Sequence, residues 1–554
     1  MSSERIQKVL VGLAPWFLLL LALGLLAPGN ATAPLIDRDE PRFAQATREM
    51  IAAHDWVIPT FNGDYRFDKP ALTYWVMGVG YRLFGENEFG ARFHSVVFSA
   101  LTAMLLYAIG RRWYSARAGF LAGFGFLTCV QVLIHGRSAV ADMPMLFFVT
   151  VAQWAICELL TGGYSRRWFW MLYGALGLGF LAKGPIAWLV PLLTLLLCRF
   201  IFFRKPYPWR NLRIPAGLPI VLLLIGFWGI PALIRTHGQF WQVGMNEHVV
   251  ERGVRAFNGR GSFILYYLGT SFFSLFPWIA FLGVVIRSLK KNWNARTAFL
   301  VSWTLAPYFI FTFYSTQLPH YVLPAFPAFF LLLAQAFETE PEWKGWPLWF
   351  FRIVTGFFVL AAALLMGIAW RIPFATPFQG LRVMLAGLTG VILGLMLLSW
   401  LYKHHRPRAC AFALLLVVAG FVVLSHGLRS ITPAVQMQAL FRQLPAQTEC
   451  VGYRFREPSL VFYSNRRWVE TGDLDVVRQK VRQPGPRLIV MTAREMELDD
   501  YLKYLAGKTA SPSFQDFTRE ISELDLTGYT ALQYEGLNVA RSRWVVLKVF
   551  YRPS

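Results

Sequence analysis

The stretch VLVGLAPWFLLLLALGLLAPGNATAPLIDRDEPRFAQATREMI, residues 9–51, holds an apolar run, a turn-rich spacer and an acidic cluster that leads into a second periodic segment. Its first part, residues 9–27, is long enough to cross a hydrocarbon core of roughly 30 Å as a helix. Working outward, twelve further runs of this kind occur at 93–110, 118–134, 143–160, 168–184, 186–203, 215–235, 265–286, 297–314, 321–337, 348–369, 381–401 and 409–428. Thirteen predicted spans make residues 1–428 an α-helical polytopic membrane domain, in keeping with 16% aromatic residues and positive mean hydropathy. The first run reads as an uncleaved anchor. Residues 429–554 change in composition and read as a separate soluble α/β domain.

Lys and Arg are retained on the cytoplasmic side in short loops, so their distribution orients the chain. With Arg5 and Lys8 inside, the inside loops hold Arg111, Arg112 and Arg117, then Arg166 and Arg167, then Arg204, Lys205, Arg210 and Arg213, and later Arg287, Lys290, Lys291 and Arg296. One loop dissents, since Glu338, Glu340 and Glu342 outnumber Lys344, but acids weigh little in this rule. An odd number of spans then puts the carboxyl-terminal module outside. The net charge of +23 follows largely from this topology, with anionic lipid headgroups as partners and no nucleic acid. Of the five cysteines only Cys450 lies in the outer module, which excludes a disulfide framework there.

Inside loops are short, whereas two outside loops are long, at 28–92 and 236–264. Phe43, Ala46, Met50 and Ile51 recur at helical spacing and predict an interfacial helix. A second is predicted from Asp68-Lys69-Pro70 through Leu72, Tyr74, Trp75, Tyr81 and Phe84. The charged cluster Asp37-Arg38-Asp39-Glu40-Pro41-Arg42 between the first span and these helices is a candidate site, or a solvated loop with ordinary charge pairs. Asp142, opening the fourth span, is a second candidate acid, or an N-terminal helix cap. Lys69, Arg137, Lys183, Arg255 and Arg260 fall on the outer side against the charge bias. Snorkelling from helix ends accounts for one such residue, but several cations around an outer cavity suit a phosphate-bearing lipid. His320 and Tyr321 add donors there, or form a packed interfacial pair.

The segments DRDEPRFAQATREM (37–50), FNGDYRFDKPALTYW (61–75), AVADMPM (139–145), LAKGP (181–185), QLPHYVLP (317–324) and REPSLVFY (456–463) resemble those of the GT-C membrane glycosyltransferases. Within that class the resemblance is to the bacterial aminoarabinose transferases, relatives of the protein O-mannosyltransferases, and it spans essentially the whole chain. It implies transfer of 4-amino-4-deoxy-L-arabinose from undecaprenyl phosphate to lipid A at the periplasmic face of the inner membrane. The cationic sugar masks phosphate charge and so weakens attraction of polymyxin and cationic peptides. On this resemblance Asp39 is the leading catalytic carboxylate and Asp142 positions the sugar. Lys69 holds the departing phosphate, with Arg137, Lys183, Arg255, His320 and Tyr321 as further phosphate ligands. A phosphate acceptor is already ionised near neutral pH, so no strong base is required. No nucleotide-binding glycine loop is present and no cofactor is required for catalysis. A structural divalent ion such as zinc is a candidate at Asp68, Glu247 and His248.

Two rivals remain. A polyprenyl-phosphate-dependent transferase acting on protein shares most signals. A transporter would need an inverted repeat or paired broken helices, and the apolar runs show neither. The outer module carries strand-like runs at 451–454, 487–492 and 544–551 and helical patterns at 435–441, 474–481 and 494–505.

Overall fold

The computed structural model describes residues 3–203, 208–244, 263–339, 343–371, 425, 427–497, 500, 520–539 and 541–553. The predicted span at 381–401 and all but the end of that at 409–428 lie outside these residues. Helix α1 (Ser3–Leu26) leads into α2 (Asp39–Ala52), a short hairpin of β1 (Thr60–Phe61) and β2 (Asp64–Tyr65), and α3 (Leu72–Phe84). Helices thus form at both places where the periodicity predicts them. Then follow α4 (Glu88–Trp113), α5 (Ala116–Leu127), α6 (Val130–His135), α7 (Asp142–Thr161), α8 (Arg166–Lys183), α9 (Ile186–Leu197) and α10 (Ile214–Arg235). After them come α11 (Tyr266–Ser274), α12 (Leu282–Lys291), α13 (Ala295–Thr312), α14 (Phe326–Glu338) and α15 (Trp346–Arg371). Asn87 and Ser115 cap α4 and α5 by accepting from Gly90 and Ala118 amides at 2.9 and 3.1 Å.

Among the described residues, four helical segments are by themselves long and apolar enough to cross a membrane: Glu88–Trp113, Asp142–Thr161, Trp209–Arg235 and Pro319–Glu338. The predicted span at 118–134 is instead two helices, and so is the one at 265–286, whose halves Tyr266–Ser274 and Trp278–Lys291 bend by 109°. This corrects the expectation that broken helices are lacking. The two breaks face each other: Val130 N donates to Phe276 O at 3.1 Å, and Trp278 Nε1 to Thr128 Oγ1 at 3.0 Å. The Val130 amide at one break is thus satisfied by a carbonyl at the other, and a side-chain bond joins the two, the kind of pairing that a break within an apolar run requires.

Helices α4 and α5 approach through glycine. A methyl on Gly123 would come within 2.6 Å of Ala103 O, and one on Gly119 would collide with Tyr107 O. Gly119→Val should therefore force the pair apart, with a marked fall in the yield of monodisperse protein on size-exclusion chromatography. An unchanged elution profile and yield would argue that this contact is dispensable.

The carboxyl-terminal region builds a five-stranded sheet in the order β4-β3-β5-β7-β6 from β3 (Glu449–Tyr453), β4 (Trp468–Thr471), β5 (Arg487–Glu497), β6 (Thr530–Asn538) and β7 (Arg543–Arg552). The first three are mutually parallel, and β7 runs antiparallel to both of its neighbours, β5 and β6. Leu488 and Val490 pack on one face with Leu460 and Phe441, whereas Ile489 and Met491 pack on the other with Val477 and Val481. Two covered faces explain the unbroken apolar run at 488–491. The helical pattern at 494–505 is corrected over its start, since Arg494–Glu497 extend β5 against Arg543–Val546. Strand pairing overrides local helix propensity there.

Candidate active site

The acidic cluster at the start of α2 divides three ways. Glu40 turns inward and pairs with Arg92 through two 2.8 Å hydrogen bonds, both side chains being buried. Asp37 turns toward the carboxyl-terminal sheet region, accepting from Ser459 N at 2.8 Å and Ser459 Oγ at 2.6 Å. Asp39 alone of the three is exposed, in the electrostatic field of Arg42 and Arg66. Arg66 in turn pairs with Asp68 at 2.9 Å and donates to Tyr74 Oη at 3.0 Å. Lys69 follows, its ammonium donating to Asp68 O at 2.9 Å. Asp39 and Lys69 thus belong to one connected patch on one side of the helical domain.

Burial, reinforced by the negative charge of Glu457, pushes the Asp37 carboxyl up to about 7 against the bonds from Ser459. The folded state therefore keeps a proton that the unfolded chain releases near 3.8. The stability this contributes is complete below that lower value and is lost as pH rises through about 7. Hydrogen exchange in the helix Pro458–Ser464 should accordingly quicken between pH 5 and pH 8 once intrinsic rates are divided out. Asp37→Asn should flatten that dependence, and a wild-type profile without slope would exclude the linkage.

A second polar group gathers where α6 and α8 end and α7 begins, beside the turn Pro319–Ala325. Asp142 does not cap its helix; Ala141 holds that position, and Asp142 Oδ1 accepts from Lys183 Nζ at 2.6 Å. The His135 and His320 rings lie 4.6 Å apart, and Lys183 Nζ sits 5.8 Å from the Tyr321 ring centroid. Four residues singled out from the sequence, Asp142, Lys183, His320 and Tyr321, therefore converge, and His135 joins them unannounced. At the opposite end of the bundle Arg112 pairs with Glu158 at 2.8 Å. Residues from loops read as outside and as inside thus separate to opposite ends of the domain.

Lys183 also lines a cavity of about 160 Å³ shared with Asp68 and Lys69. Phe180, Ile225, Trp228, Leu233 and Phe240 make its walls apolar. Thr73 Oγ1 to Ala182 O, 3.0 Å, and Trp228 Nε1 to Val57 O, 2.8 Å, fix the outer loop over it. An apolar slot with two ammonium groups and a carboxylate suits an anionic headgroup on a hydrocarbon chain. Arg137 stands apart: its guanidinium bonds Pro28 O at 2.8 Å and Leu25 O, tying the end of α1. Arg255, Glu247 and His248 lie outside the described residues, and Asp68, the remaining member of that metal set, is ion-paired with Arg66.

The sequence profile of the dolichyl-phosphate-mannose-protein mannosyltransferases matches residues 68–227. The undecaprenyl phosphate-alpha-4-amino-4-deoxy-L-arabinose arabinosyl transferase of Aeromonas salmonicida is 30% identical over 56% of this chain, and the chain spans 58% of that protein's length. The like-named protein of Yersinia enterocolitica is 26% identical over 90% of this chain and 89% of its own. In fold, the crystal structure of ArnT from Cupriavidus metallidurans bound to undecaprenyl phosphate superposes with a TM-score of 0.76 at 18% identity, covering 96% of this chain and 97% of that one. By sequence over most of its length the chain is similar to the bacterial aminoarabinose arabinosyl transferases, and nearly all of it shares the fold of ArnT, its apolar helices being those of an integral membrane protein.

Proposed function

We propose that the protein transfers 4-amino-4-deoxy-L-arabinose from undecaprenyl phosphate to a lipid A phosphate at the periplasmic face of the inner membrane, and thereby protects against polymyxin and cationic peptides. The observation that carries this reading is the apolar cavity with Lys69 and Lys183 at its polar edge. The isoprenoid lies along the apolar walls while Lys69 takes the phosphate. As the bond from the sugar C1 to the phosphate oxygen breaks, negative charge grows on the leaving phosphate and is met by Lys69. A lipid A phosphate oxygen, already ionised, forms the new bond to C1 without a strong base. Asp39 orients or stabilises the developing ring charge, and Asp142 positions the sugar or its amine. Lys183, Arg255, His320 and Tyr321 complete the phosphate ligands, whereas Arg137 serves to tie the end of α1. Thirteen spans, with the module from residue 429 outside, complete the architecture. No cofactor enters the transfer, and any divalent ion at Asp68, Glu247 and His248 is structural.

The test is incubation of the purified protein with synthetic undecaprenyl-phosphate aminoarabinose and lipid A, read by mass spectrometry. A pentosamine adduct on lipid A supports the reading. An adduct on a protein acceptor alone moves the chain to the mannosyltransferase side of its kin, and uptake into vesicles without any adduct makes it a transporter. Lys69→Ala should lower kcat/KM by about 100–1000-fold, the scale of losing one donor to a developing anion. Undiminished turnover in that variant removes Lys69 from the mechanism.

A further inference from the structure

We infer that His135, Asp142 and His320 form a binding site for a divalent transition-metal ion of the zinc type. Each offers one ligand atom, and the three atoms all lie within 4.8 Å of one another. Ligands of a tetrahedral zinc ion sit about 2.0–2.2 Å from it, hence roughly 3.5 Å apart, inside that envelope. They come from three separate places: the end of α6, the first residue of α7 and the turn before α14. Two imidazoles and a carboxylate are a borderline-soft donor set that favours zinc over calcium or magnesium. Three protein ligands leave a fourth position for water or an anionic oxygen.

The surroundings are built for such a role. Gln131 Nε2 lies 2.9 Å from His135 Nδ1, which leaves Nε2 as the nitrogen facing the cluster. Gln131 is itself held by Ser274 Oγ at 2.9 Å. With an ion on Nε2 the imidazole carries its proton on Nδ1, and Gln131 receives it by presenting its oxygen instead. Ser274 accommodates the reversal, since a hydroxyl both donates and accepts. Such outer partners set the tautomer and orientation of metal-bound histidines. Lys183 takes Asp142 Oδ1, so the ion takes Oδ2 and one carboxylate bridges two cations. This set is distinct from Asp68, Glu247 and His248; it shares Asp142 and His320 with the proposed transfer site, but metal binding itself is argued from the geometry of the three ligands and not from sugar transfer.

The full-length protein in detergent, stripped with chelator, loaded with Co²⁺ and dialysed, should retain an ion with the intense visible bands of tetrahedral coordination. Zinc absorption spectroscopy on the wild type should show at least two imidazoles in the first shell, a reading that depends on no variant. His135→Gln combined with His320→Gln should lose one ion per chain. Gln131→Leu, which keeps all three ligands, should weaken binding by about 10–100-fold. No retained ion in the wild type, fewer than two imidazoles, or wild-type stoichiometry in the double variant would each overturn the assignment. Loss of transferase activity with the ion still bound would count against the proposed function and leave this site standing.

Discussion

Replacing Arg92 by leucine is expected to destabilise the folded chain by about 3–5 kcal/mol, the usual cost of leaving one half of a buried ion pair behind. Arg92 as a whole residue is 2% exposed. Beyond the two bonds to Glu40 it donates to Asn30 O at 2.9 Å, Ala33 O at 2.7 Å and Pro34 O at 2.7 Å. Glu40 accepts in addition from Ile36 N at 2.8 Å and Ala139 N at 2.7 Å. One ion pair therefore ties the exit from α1, the entry to α2 and the loop before α7, the three segments that present Asp39 and Asp142. Removal leaves a buried carboxylate and three carbonyls without their donor. Arg92→Leu with Glu40→Leu should recover part of the loss, because no charge is stranded, but the carbonyls stay unmet. Thermal unfolding in detergent measures the ranking: wild type above the double variant, and the double variant above Arg92→Leu. Equal midpoints for wild type and Arg92→Leu would show that the pair contributes little.

Much of this arrangement is legible along the chain, and its limits have physical reasons. Apolar runs of membrane length report helices because hydrophobicity must persist over the whole crossing. A break inside such a run leaves the composition apolar and is harder to see. Pro277 was a local signal of the bend, but the partner break at Thr128 carries none, and its stability comes from hydrogen bonds to residues far along the chain. The convergence of Asp142, Lys183, His320 and Tyr321 was anticipated from their shared side of the membrane. His135 was not, because a single histidine closing an apolar run is ordinarily a packing residue and its partners are remote in sequence. The acidic cluster by itself does not reveal which environment each of its acids enters. Successive residues at a helix entry point in different directions, so Asp37, Asp39 and Glu40 reach three different environments. In the sheet, the central strands announced themselves by apolar runs, whereas the edge strands Trp468–Thr471 and Thr530–Asn538 alternate with polar residues and did not.

Lys183→Met separates the structural from the chemical role of the ion pair at the cavity edge. The Asp142 side chain is 6% exposed and that of Lys183 is 16% exposed, so removing the ammonium strands a carboxylate in a poorly solvated place. A loss of about 3–5 kcal/mol is expected together with loss of sugar transfer. Lys183→Met with Asp142→Leu removes both charges, and replacing a buried pair by apolar groups of similar size is frequently neutral or stabilising. The double variant should therefore regain thermal stability near the wild-type midpoint. On the proposed mechanism activity should not return, because Lys183 is one of the two cavity cations assigned to the phosphate and Asp142 the carboxylate assigned to the sugar. Stability and turnover would then part company in one protein, which a purely structural pair cannot produce. Recovery of both in the double variant would reduce Asp142 and Lys183 to scaffolding and move the chemistry to the patch around Asp39 and Lys69.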